Sequence, residues 1–194
     1  SFEDPADRAV ESHVRESADR IAALLDQLVT EGFAPEHIVL TGFSQGGVIA
    51  SFTALRYQAK LAGLLCMSTY LAAPEQLVEE MSEAARALPI CYMHGIYDDV
   101  VSLSMGWDAK NRLEAAGLSP EWHEYPMRHE ICRPQLDEIR RWLLARLGAW
   151  SRPADTITAC ISRPFAFIPL AMCPAHHPTS RAAPGLSRCG LWLR

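Results

Sequence analysis

Residues 40–47 read Leu40-Thr41-Gly42-Phe43-Ser44-Gln45-Gly46-Gly47, a hydroxyl set between glycines directly behind a β-branched run. Glycines on both sides of one serine are what a very tight turn needs, because side chains there would meet neighbouring backbone. His37-Ile38-Val39-Leu40-Thr41 reads as a short buried strand, and the stretch from Gly46 to about Tyr57 reads as a helix. Strand, G-x-S-x-G and helix together form the pattern of a nucleophile elbow, in which the turn pushes the serine hydroxyl out at the end of a sheet. A glycine-flanked serine alone is often just a loop, so the flanking elements carry the reading. The following helix would aim its N-terminus at Ser44, with the Gln45 backbone N–H placed to donate to an oxyanion.

Outward from the elbow, the alternation of elements continues in both directions. Val14, Ala18, Ile21, Leu25 and Leu28 recur at spacings of three and four and predict a helix from about Glu11 to Glu31, stopped by Gly32. Downstream, strands are expected at 64–67, 90–93 and 122–125, and helices at 74–87, 104–116 and 134–147. Helices alternating with short buried strands imply an α/β domain, a mostly parallel sheet covered on both faces.

This domain is expected to occupy residues 1–150, and the texture changes after it. Residues 151–194 hold five arginines, one aspartate, no lysine and frequent proline, a net charge of +4 against −5 for the whole chain and hence −9 for the rest. Proline at that frequency opposes both helix and central strand, so the tail is expected to be an unstructured or aberrant extension rather than a basic interaction arm.

Bulk composition excludes several classes. The acidic balance argues against nucleic acid as a partner, and no apolar run approaches the ~18 residues of a membrane span. The acidic N-terminus has no apolar core of a signal peptide, and the chain does not begin with methionine. Cys66 and Cys91 fall in apolar strand-like runs, while Cys132, Cys160, Cys173 and Cys189 form no zinc-like spacing. Reduced thiols, no metal and a cytoplasmic setting follow as expectations. Self-association as a homodimer is left open.

A serine hydroxyl needs a base. Of seven histidines, His176 and His177 lie in the tail, and His13, His37 and His123 sit within or at the start of elements away from the strand ends. His94 ends a strand but precedes the expected acid loop, and is read as a packing and hydrogen-bonding residue. His129, in Tyr125-Pro126-Met127-Arg128-His129-Glu130, lies on a loop just past the last strand and is the candidate base. The acid should fall between them in chain order, and Tyr97-Asp98-Asp99-Val100 supplies two choices that local chemistry does not separate. Serine, aspartate and histidine, each after its own strand, is the order an α/β-hydrolase requires.

The segments GFSQGG (42–47), HGIYDDVV (94–101) and YPMRHEIC (125–132) resemble those of the phospholipase/carboxylesterase family, which includes bacterial carboxylesterases and acyl-protein thioesterases. The likeness runs from about Ser17 to Gly148. It implies the α/β-hydrolase fold, ester, thioester or lysophospholipid substrates, no cofactor, and a cytoplasmic enzyme. It also assigns the acid to Asp98, since the family often has proline at the position of Asp99. Two departures stand out. The family normally starts with further strands and an HGxG-type loop giving a second oxyanion donor, and no such motif precedes Ser44, so the domain is expected to lack its N-terminal strands and to leave the strand 38–40 at an unpaired edge. The other departure is Arg128, which stands where the family has glycine and is expected to crowd the imidazole.

Overall fold

The computed structural model describes residues 5–148 and 166–170. Among these residues five strands form one sheet, β1 (Ile38–Phe43), β2 (Gly63–Met67), β3 (Ile90–Gly95), β4 (Glu121–Tyr125) and β5 (Ala166–Leu170), in the order β4-β3-β2-β1-β5. Every neighbouring pair is parallel. The helices are α1 (Pro5–Thr30), α2 (Gln45–Arg56), α3 (Pro74–Glu79), α4 (Leu103–Ala115) and α5 (Arg133–Leu147).

Successive strands β1 to β4 step one place at a time in a single direction. Right-handed crossovers then put each connecting helix on the same side of the sheet. Alternate strand residues therefore feed two separate cores. Ile38, Leu40, Leu64, Cys66, Ile90 and Tyr92 face the side packed with α1, α2, α3 and α4 residues such as Leu25, Phe52, Leu77 and Leu113. Val39, Leu65, Met67, Cys91 and Met93 face the other side, where Trp142 is buried and Ile139, Leu143 and Leu147 of α5 pack against them. Because both faces are covered, the central strands lose the polar alternation of a half-exposed sheet and read as continuous apolar runs.

Three features differ from the sequence reading. The first helix begins at Pro5 rather than near Glu11, a start that proline allows because the first-turn N–H has no intrahelical acceptor. The helix expected over 74–87 stops at Glu79 and resumes as a 3₁₀ turn at Glu83–Ala87. Ser82 separates them: its hydroxyl accepts from the Ala85 N–H and donates to the Tyr57 carbonyl, and its own N–H reaches the Leu55 carbonyl. Such local bonds compete with helix continuation.

The third difference concerns the tail. The edge of β1 is not open, because β5 pairs along it from Ile38↔Ala166 to Gly42↔Leu170. Frequent proline argues against a central strand, and β5 is an edge strand, the one place in a sheet where Pro169 can lack its N–H without breaking a ladder on both sides. The remainder of the expected unstructured segment, 151–165 and 171–194, lies outside the described residues.

Candidate active site

All strands run the same way, so the turns after β1, β3 and β4 open on one rim of the sheet. The sharpest is the turn after β1. Ser44 takes φ 54° and ψ −126°, an unusual backbone for a residue with a side chain. It is held there by its own N–H on the Met67 carbonyl at 2.9 Å, and by the Thr69 hydroxyl on its carbonyl at 2.7 Å. A side chain at Gly42 would place a Cβ 2.2 Å from the Gly46 carbonyl, which is why the turn tolerates only glycine there. The Gln45 N–H opens α2 and, like any first-turn donor, has no intrahelical acceptor.

The turn after β3 supplies the acid. Asp98 is buried and its Oδ1 accepts from the N–H groups of Val100 at 3.0 Å and Val101 at 2.9 Å. Burial alone pushes its carboxyl up, but the bond to His129 and these two backbone donors outweigh that and hold it below the ordinary carboxylate range. Beneath it His94 is fully buried, with Nε2–H donating to the Val101 carbonyl at 2.9 Å and the ring stacked against Trp122. His94 thus braces the loop that carries the acid, in keeping with its reading as a packing and hydrogen-bonding residue.

The loop after β4 brings His129 across. Its Nδ1 lies 2.8 Å from Asp98 Oδ2 and its Nε2 lies 3.0 Å from Ser44 Oγ. An ionised carboxylate can only accept, so the partners place the ring proton on Nδ1 and leave Nε2 as the acceptor for the serine O–H. Phe43 packs its ring 4.7 Å from the imidazole centroid and fixes its tilt. The three side chains named from the sequence are therefore brought together. Phe43, Thr69 and the Val100 and Val101 amides were not anticipated, since each acts through a contact that no local spacing announces.

The close approach of the acid and histidine loops has its own requirement. A Cβ on Gly95 would sit 2.4 Å from the Arg128 carbonyl and 2.5 Å from that of Met127. Arg128 itself is not in the left-handed region, so the position does not need glycine for its backbone. Its side chain turns outward and donates to Asp99 at 2.6 Å. The expectation that it crowds the imidazole is therefore corrected.

Elsewhere, Cys66, Cys91 and Cys132 are free thiols. Cys91, Glu121 and His123 bring their donor atoms within 4.8 Å of one another. Glu121 is already bound by Arg146 and by Trp142 Nε1–H, so a guanidinium occupies the charge position that a cation would take. A groove of about 730 Å³ lies between α1 and α2, lined by Asp19, Asp26, Arg56 and Tyr57, remote from Ser44. None of Ser44, Asp98 and His129 lines it. No helix among the described residues is long and apolar enough to cross a membrane.

A parallel sheet with a serine elbow, an aspartate and a histidine on one rim defines an α/β-hydrolase architecture. Residues 2–146 match the family model described as Phospholipase/Carboxylesterase, and the chain belongs to that family. It is similar to a probable carboxylesterase of Oryza sativa subsp. japonica, 34% identical over 140 residues, which are 72% of this chain and 53% of that protein. Acyl-protein thioesterase 1 of Neurospora crassa is 33% identical over 127 residues, covering 64% of this chain and 52% of the relative. The crystal structure of Arabidopsis thaliana SOBER1 superposes with a TM-score of 0.68 at 31% identity, covering 71% of this chain and 66% of that one. The chain thus spans little more than half the length of the curated relatives it matches.

Proposed function

We propose that this chain is a serine hydrolase of carboxylic esters, with acyl thioesters and lysophospholipids as related substrates, working through an acyl-enzyme on Ser44. The contact that supports it most is the 3.0 Å approach of Ser44 Oγ to His129 Nε2, with the far side of the ring held by Asp98. In this reading Ser44 Oγ attacks the acyl carbon as its proton passes to His129 Nε2. Asp98 orients the ring and balances the imidazolium. The Gln45 N–H donates to the developing oxyanion, and His129 returns the proton to the departing alcohol or thiol. Water then enters, gives its proton to His129 and attacks the acyl carbon. The carboxylic acid leaves as Ser44 regains its hydrogen. The reaction calls for no cofactor, and the cytoplasm is the proposed compartment.

A second reading is an impaired or inactive chain that only folds or binds. The described residues offer the Gln45 N–H as an oxyanion donor, and the chain spans about half the length of the curated relatives it matches. One missing oxyanion donor lowers rates by roughly 10²–10³ without abolishing acylation. A fluorophosphonate probe separates the readings: labelling of the full chain is expected, with complete loss in Ser44→Ala. A p-nitrophenyl ester burst that depends on Ser44 is the companion measurement. No labelling and no burst would establish the inactive reading.

A further inference from the structure

The acid and histidine loops carry matched doublets, Asp98-Asp99 on one and Arg128-His129 on the other. The inner members, Asp98 and His129, meet at 2.8 Å with no exposure of the aspartate side chain. The outer members also meet, Arg128 Nη2 donating to Asp99 Oδ2 at 2.6 Å across 29 residues of sequence. This outer pair is open to solvent, at 70% and 56% side-chain exposure. Up to Met127 the two loops are stitched by backbone bonds, from the Ile96 N–H to the Tyr125 carbonyl and from the Tyr97 N–H to the Met127 carbonyl. Beyond Met127 side-chain bridges take over.

From these contacts we infer that Asp99 and Arg128 form a clasp, a positioning pair that holds the histidine loop on the acid loop and balances charge beside the imidazole. The inference rests on the proposed acyl-transfer role of Ser44, His129 and Asp98. The groups around His129 are few. The elbow presents the Ser44 hydroxyl and the uncharged Phe43 ring. The acid loop brings Asp98 and Asp99, with His94 buried behind them. Its own loop carries Arg128 and the exposed Glu130, with Cys132 two residues beyond. Within this set Arg128 and Asp99 are opposite charges paired with each other on adjacent loops. Removing one leaves the other's charge acting on the ring.

The rate of fluorophosphonate labelling of the full chain, followed against pH at low salt, tests this. Labelling needs an unprotonated imidazole, so the acid limb of the profile reports the charge around it. Asp99→Asn removes a group that favours the imidazolium, and the limb is expected to move to lower pH. Arg128→Gln leaves Asp99 unopposed, and the limb is expected to move to higher pH. Each shift should be roughly 0.3–0.5 pH unit, and both should shrink in about 1 M salt, where screening acts within ~3 Å. The double variant should recover the wild-type limb with a plateau about two- to five-fold lower, because the fastening is lost. Arg128→Lys should restore both limb and plateau. Limbs that overlay the wild type, or that move in the same direction in the two single variants, overturn the clasp. Labelling that persists in Ser44→Ala overturns the acyl-transfer reading instead.

Discussion

At the level of single residues, the site depends on backbone that has no room to spare. The elbow is the clearest case, because Gly42 faces the Gly46 carbonyl and carbonyl carbon, which are main-chain atoms and cannot rotate aside. We expect Gly42→Ala to open the turn, destabilise the fold by ~2 kcal/mol or more, and cut probe labelling far beyond what the lost stability explains. Thermal unfolding and labelling rate measured together check this; a variant with native rate and native Tm would show that the turn has slack. Ser44, His129 and the pair Asp98/Asp99 were legible in the sequence because each follows a strand, where turn chemistry stands out. The choice of Asp98 was not legible locally. It depends on the Val100 and Val101 amides and on a histidine 31 residues away. Arg128 was misread for a related reason: a motif departure was judged by what glycine permits, and its partner lies on another loop.

Among the elements, apolar patterning located α1, α2, α4 and α5 and the strands β1 to β3, since buried runs between glycine and proline stops are strong local signals, while β4, expected over 122–125, is exposed or half-buried along its length and carries no such run. The break within 74–87 escaped because Ser82 ends the helix through bonds to Leu55 and Tyr57, more than twenty residues back. β5 escaped because edge strands tolerate the proline that marks them as irregular. Its pairing gives a prediction. Replacing Phe167 and Ile168 by proline removes two strand N–H groups and should release the β1 edge. Faster amide exchange at Val39–Gly42 is expected, with concentration-dependent association seen by light scattering. Unchanged exchange at those amides would show that β1 does not rely on this neighbour.

For the molecule as a whole, acid should be the weak flank. Glu80 is held below the ordinary carboxyl range first by the bond from Arg15, with Arg56 adding to it. Glu75 is held low by its own backbone N–H and then by Arg112. Asp98 is held low despite its burial. A carboxyl depressed by folding stabilises the native state above its unfolded value, about 4 for aspartate and glutamate, and that contribution disappears as pH falls through the lower folded value. Tm should therefore hold from neutrality to about pH 5 and drop below about pH 4, and Asp98→Asn should make the acid side of the curve shallower. An equally steep decline in the variant would remove Asp98 from the account.

Among the described residues the two faces of the sheet are served unequally, since four helices pack on one side and α5 on the other. During synthesis from the N-terminus, Val39, Leu65, Cys91 and Met93 must wait bare until the residues after Cys132 have left the ribosome. His129 stands four residues ahead of that helix. A nascent chain stalled just short of Arg133 would hold Val39, Leu65, Cys91 and Met93 without the cover of α5.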